Sequence, residues 1–169
     1  MRQSVGILRE VMAIRPLRLY LETTVFNYYF DVNREGHEDV VRLFEAIGAG
    51  RYEGYASTYV TDELEQAPEP KRSEMLALVE KYSITILDST PSSEHLAELY
   101  ITEGVIPSSH FFDSAHIAMA AAYGLDLVIP YNFKHIARDK TRHLTAVINR
   151  EEGYDAIIIC TAEEVLNHD

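Results

Sequence analysis

Short apolar runs recur along the chain, and each is separated from the next by a stretch with helical spacing. Arg18–Leu21, Tyr52–Ser57, Ile84–Leu87, Leu127–Ile129 and Ala156–Cys160 read as five short, largely apolar strands. Between the first two, Thr23 or Thr24 caps a helix through Phe30, and a second runs from about Glu38 to Ala49 with Val40, Val41, Phe44 and Ile47 on its apolar face. The segment TYVTDELEQAP is a short helix stopped by Pro68 and Pro70, and Lys71–Tyr82 is another, with Met75, Leu78 and Val79 inward. A helix starting at Ser92 or Ser93 carries Leu96, Leu99 and Tyr100, and Gly104 and Pro107 break it. Late in the chain one helix ends near Asn149, and a last one starts at Thr161 with Glu163 and Glu164 in its first turn. Strands alternating with helices predict an α/β fold, a short parallel sheet of about five strands covered on both faces.

The stretch from Ser108 to Ile136 departs from amphipathic spacing. A helix opening on Ser108 or Ser109 is apolar almost all round through Ala115, Ile117, Ala118, Met119, Ala120, Ala121 and Ala122, and Gly124 closes it. Such a helix must be covered on most sides, yet Asp113 falls in its first turn. The dipole there favours an anion while burial opposes it, so the carboxylate calls for a partner.

A chain of 169 residues is most simply one domain. At that length about 70% of the unfolded surface is buried on folding. Residues 1–17 carry Arg2, Arg9, Glu10 and Arg15 among apolar positions, which breaks up any signal-peptide core. They read as a dispensable extension ahead of a single domain over residues 18–169. No apolar run approaches the roughly 20 residues that span a bilayer. The lone Cys160 excludes an internal disulfide and a multi-cysteine zinc site, and suits a cytoplasmic protein. A net charge of −12 argues against a broad electrostatic grip on nucleic acid. It leaves room for a divalent cation, which inverts the local field.

In open α/β sheets, ligands bind outside the carboxyl ends of the strands. Glu22 follows the first strand, Glu63 the second by a short helical run, Asp113 opens the helix before the fourth, and Asn132 follows the fourth. Three carboxylates about 5 Å apart would repel by about 3 kcal/mol per ionised pair at an effective dielectric near 20. A cation or bound protons relieve that repulsion, and hard oxygen ligands favour Mg²⁺ or Mn²⁺. Such a site suits phosphodiester hydrolysis. The sequence lacks a P-loop, a Gly-rich dinucleotide motif, a Gly-x-Ser-x-Gly elbow and an Asp-x-Asp phosphatase signature.

Four ordered segments, RLYLETTVFNYYFD, STYVTDELEQA, FFDSAHIAMAAAYGLDLVIPYNFKHI and VINREEGYDAIIICTAEEVL, resemble the PIN-domain family of metal-dependent ribonucleases, which includes VapC-type toxins. The resemblance runs from about Arg18 to Leu166. It implies a three-layer α/β sandwich, usually a homodimer, that cuts single-stranded or looped RNA with Mg²⁺ or Mn²⁺. Carried over by position, the three acids fall on Glu22, Glu63 and Asp113, all metal ligands and catalytic. The fourth catalytic position is Asn132, and the hydroxyls after the first acid, Thr23 and Thr24, are expected to bind substrate. A toxin of this kind has a small antitoxin partner. Two departures from the family pattern stand out: the first acid is Glu in place of the usual Asp, and Pro130 and Tyr131 stand where Thr-Trp is common.

Each assignment has a plainer competitor. Glu63 shares its short helix with Asp62 and Glu65, and Asn132 can simply shape a turn. His116, three residues after Asp113, suits a packed, hydrogen-bonded histidine better than a metal ligand. Asp126 begins a strand at the opposite edge and reads as structural. Lys134 and His135 are placed to meet RNA, within a basic run completed by Arg138, Lys140, Arg142 and His143 that equally suits a solvated helix face. Phe26, Tyr28, Tyr29 and Phe30 can stack bases but are more often core or dimer interface. The function expected is a Mg²⁺- or Mn²⁺-dependent endoribonuclease, with a catalytically weak nucleic-acid- or protein-binding module of the same fold as the alternative.

Overall fold

A computed structural model describes residues 15–130 and 139–167. Its centre is β1 (Leu17–Leu21), in which Leu19, Tyr20 and Leu21 are fully buried. A strand buried on both faces must lie inside a parallel sheet, and β1 does. It pairs in parallel with β2 (Tyr52–Ser57) on one side and β4 (Leu127–Ile129) on the other. Beyond them lie β3 (Thr85–Leu87) and β5 (Ile158–Ile159), giving the order β3-β2-β1-β4-β5 among the described residues. The chain builds outward from β1 through β2 to β3 and then returns to lay β4 beside β1. The gap between β1 and β4 is therefore a topological switch point, where open α/β sheets bind ligands.

The helices are α1 (Thr23–Tyr28), α2 (His37–Gly48), α3 (Thr58–Glu65), α4 (Lys71–Lys81), α5 (Pro91–Thr102), α6 (Phe111–Ala122), α7 (Asp139–Glu151) and α8 (Ala162–Leu166). Together with the parallel sheet they make the α/β sandwich that the alternating pattern predicts. Helix α6 behaves as its composition demands: every residue from Ser114 to Ala121 is buried. It packs along α5, and the Ser114 hydroxyl donates to the Ala97 carbonyl at 2.6 Å. Gly124, with φ of 64°, ends it as expected. Gly54 on β2 marks a close approach, because a Cβ there would lie 2.5 Å from Ile84 Cδ1 and 3.1 Å from Ile47 Cγ2.

Several boundaries differ from the sequence reading, each for a local reason. Ser108–His110 form a 3₁₀ turn after Pro107, so α6 begins at Phe111 with no side-chain cap. Helix α5 starts at Pro91, because Thr90 caps it and closes a reciprocal box with Ser93. The fifth strand is two residues long, because only Ile158 and Ile159 pair with β4.

The amino-terminal edge of the sheet is fixed by Asp126. It accepts from Arg15 Nη1 at 2.7 Å, Arg15 Nη2 at 2.9 Å and the Arg18 backbone N–H at 2.8 Å. Arg15 and Leu17, which the sequence reading assigns to the extension, thus take part in the fold; residues 1–14 lie outside the described residues. No helix among the described residues is long and apolar enough to cross a membrane.

Candidate active site

The three acids arrive from three elements at the carboxyl edge of the sheet. Glu22 directly follows β1, and its backbone N–H donates to Ile129 of β4 at 3.4 Å, which places it at the switch point. It is also the N-cap of α1. Its carboxylate accepts from the Thr24 N–H at 2.8 Å and from the Thr24 hydroxyl. The cap expected of Thr23 or Thr24 is therefore Glu22 itself, and Thr24 is its donor. Glu22 is only 4% exposed. Burial pushes its carboxyl above the ordinary value, His116 and the Thr24 N–H oppose the rise, and Asp113 and Glu63 add to it.

Asp113 stands in the first turn of α6, with its side chain 15% exposed and Oδ2 3.2 Å from His110 Nδ1. Glu63 lies in α3, and its Oε1 is a buried atom 3.3 Å from His116 Nε2, short of hydrogen-bond geometry. Asp62 and Glu65 on the same helix are exposed, so the register turns Glu63 inward. Glu22 thus feels both other carboxylates. Among the described residues, though, no three His, Cys, Asp or Glu side chains form a ready metal cage. Glu22 is turned onto Thr24 and Asp113 sits beside His110.

His116 is the packed, hydrogen-bonded histidine expected, and something more. It is 2% exposed, Nδ1 meets the Tyr20 hydroxyl at 2.7 Å, and Nε2 faces Glu63. The Tyr20 hydroxyl in turn meets Ser57 Oγ at 2.6 Å. Thr23 is buried, and its hydroxyl oxygen has no hydrogen-bond partner. Asn132, Lys134 and His135, with Tyr131 and Arg138, lie outside the described residues. Of the remaining basic run, Lys140 and His143 are exposed and Arg142 is half-buried. Phe26 is core, while Tyr28, Tyr29 and Phe30 pack against the core; the Tyr29 and Tyr82 hydroxyls meet at 2.6 Å. The sequence reading passed over Phe111 and Phe112, which are 38% and 51% exposed immediately before Asp113. Their position beside an acid was the available signal. A surface pocket at Tyr28, Arg34, Asp39 and Glu163 contains none of the three acids.

A parallel sheet with the buried Glu22 at its switch point, in the field of Asp113 and Glu63, defines the class, an α/β domain with an acidic group at its ligand-binding edge. The PIN domain family profile matches residues 19–140, and the chain belongs to that family. Two solved structures share the fold. VapC20 of Mycobacterium tuberculosis, described as a Sarcin–Ricin-loop-cleaving toxin, is 14% identical with a TM-score of 0.55 over 70% of this chain and 93% of its own. VapBC2 of Rickettsia felis, bound to a DNA fragment from their promoter, is 12% identical with a TM-score of 0.55 over 86% of this chain and 98% of its own. No curated protein matches the chain.

Proposed function

We propose that the protein is a PIN-type endoribonuclease that hydrolyses RNA phosphodiesters with Mg²⁺ or Mn²⁺. The observation that carries this reading is Glu22, a buried carboxylate at the switch point whose charge is opposed by Asp113 and Glu63. The donor set fits a hard cation: it is all oxygen, and the buried Oε1 of Glu63 has no hydrogen-bond partner. When bound, such an ion would polarise a phosphodiester and favour ionised water as nucleophile. Glu22, Glu63 and Asp113 would hold it. Thr24 keeps the Glu22 carboxylate in place, Thr23 lies beside it, and the resemblance carries the fourth catalytic role to Asn132. Lys134 and His135 supply contacts to the RNA backbone.

Membership of a family that includes toxins, and a fold shared with VapC20 and a VapBC complex, support a toxin role with a small antitoxin partner. A homodimer acting in the cytoplasm belongs to the same proposal. The second reading is a catalytically weak binding module. It draws on the net charge of −12 and on Pro130–Tyr131 in place of the commoner Thr-Trp. Cleavage of single-stranded RNA in Mn²⁺ separates the two: activity should vanish with chelator and in Asp113→Asn. Undiminished cleavage by Asp113→Asn would defeat the nuclease assignment, and no cleavage by the wild type would favour the module.

A further inference from the structure

Behind the three acids lies a second row of buried groups, one from each of the same elements. Tyr20 precedes Glu22 by two residues on β1, Ser57 ends β2 and opens the helix that carries Glu63, and His116 follows Asp113 on α6. Ser57 and Tyr20 are fully buried and His116 is 2% exposed. Their contacts run in series: Ser57 Oγ to Tyr20 hydroxyl at 2.6 Å, Tyr20 hydroxyl to His116 Nδ1 at 2.7 Å, His116 Nε2 to Glu63 Oε1 at 3.3 Å.

Neither contact of Tyr20 fixes its own direction, since a hydroxyl both donates and accepts. Glu63 fixes both. A carboxylate offers only lone pairs, so the ring, when neutral, is favoured to turn Nε2–H toward Oε1, a contact at 3.3 Å outside hydrogen-bond geometry, which leaves Nδ1 as an acceptor. The Tyr20 hydroxyl then donates to Nδ1 and accepts from Ser57. The reverse order would aim an imidazole lone pair at a carboxylate in a buried site. Burial also holds the Tyr20 phenol far above its ordinary value, so it stays a donor.

We propose that Ser57, Tyr20 and His116 form a one-way hydrogen-bond relay that locks His116 as the Nε2–H tautomer and makes it the positioning residue for the Glu63 carboxylate. The relay rests on the metal-site reading above, in which Glu63 is a ligand. A histidine behind a carboxylate ligand then does what outer-shell partners do at metal sites, fixing the ligand's angle. It also ties β1, β2 and α6 together directly behind the acids, so the three ligands keep their spacing.

Two measurements test the relay. In metal-free wild type, long-range ¹⁵N–¹H correlations of the histidine rings, with the His116 signals assigned by their loss in His116→Gln, should show protonated Nε2 and bare Nδ1. The opposite tautomer would overturn the proposal. Calorimetric titration with Mn²⁺ should show about 10- to 100-fold weaker binding in Tyr20→Phe and His116→Leu. His116→Gln, which keeps an N–H donor near the Nε2 position, should retain most of the affinity. Equal affinities in folded Tyr20→Phe and His116→Leu would sink the relay while leaving the metal site standing. A wild type that binds no Mn²⁺ would instead remove the metal-site reading and the relay with it. If His116→Leu does not fold, Tyr20→Phe and the tautomer decide.

Discussion

Glu22 is placed where a charge is costly, so removing the charge should stabilise the protein while destroying its activity. The carboxylate is 4% exposed and has exchanged water for two donors of Thr24. Taking an ion out of water costs several kcal/mol after relaxation. Hydrogen bonds to a charged acceptor return about 1.5–3 kcal/mol, against about 0.5–1.5 to a neutral one. Glu22→Gln keeps the Thr24 donors at the weaker figure and removes the cost either of burying the ion beside Asp113 and Glu63 or of holding the carboxyl protonated above its ordinary value. The balance is a gain of about 1–2 kcal/mol at pH 7 without metal, which raises Tm by about 2–8 °C for a domain of this size.

The pH dependence follows from the direction of the shift. Burial raises the Glu22 carboxyl in the folded state, so below the unfolded value of about 4.3 the group is neutral in both states and opposes nothing. As pH climbs from there through the folded value, the wild type loses stability that Glu22→Gln keeps. Mn²⁺ at 100 times its dissociation constant should then return about 2.7 kcal/mol to the wild type and less to the variant, reversing their order. Thermal melts of both proteins at pH 4 and pH 7, with and without Mn²⁺, read all three effects. A variant less stable than wild type at pH 7 without metal, or a gap unchanged between the two pH values, would refute the reasoning.

Asp126 should behave in the opposite sense. Burial pushes its carboxyl up, but the Arg15 hydrogen bonds and the Arg18 N–H outweigh burial and leave it below the ordinary value. Its stabilisation is therefore present above about pH 3.9 and lost as pH falls through the folded value. Asp126→Asn should cost about 1–2 kcal/mol at pH 7 in urea melts, a charged-bond figure discounted for partial exposure, and the cost should shrink toward pH 2. Burial also pushes the Cys160 thiol up to about 12, with Glu164 adding to the rise. Its reaction with a disulfide reagent at pH 8 should be slower by a factor on the order of 1,000 in folded than in urea-unfolded protein, and comparable rates would contradict the burial.

The sheet was legible because its information is local. Tyr52–Ser57 and Leu127–Ile129 were expected with the boundaries observed: the second is a short apolar run before Pro130, and the first follows the glycines that end the preceding helix. The place of Glu22 at the carboxyl end of the first strand followed from the alternation of strands and helices, whereas the strand order that makes it a switch point did not. What stayed hidden depends on packing across the chain. Three acids on α3 look alike in sequence, and only the helix's seat on the sheet turns Glu63 inward. His116 reads as an ordinary core histidine because its partner Tyr20 is 96 residues away. Ser108 carries the composition of a cap, but Pro107 leads into a 3₁₀ turn that places the start of α6 three residues later. The Glu22 cap was missed for another reason: Thr is the commoner cap, and no rule of composition says that a would-be ligand will serve as one.

The central claim is that Glu22, Glu63 and Asp113 act as one site, and non-additivity tests it most directly. Single-turnover cleavage of a single-stranded RNA in Mn²⁺ should fall steeply in each of Glu22→Gln, Glu63→Gln and Asp113→Asn. The triple variant should be no slower than the worst single one, as expected of groups that work as a unit. Losses that multiply across the three, or wild-type cleavage by any one variant, would contradict a shared site.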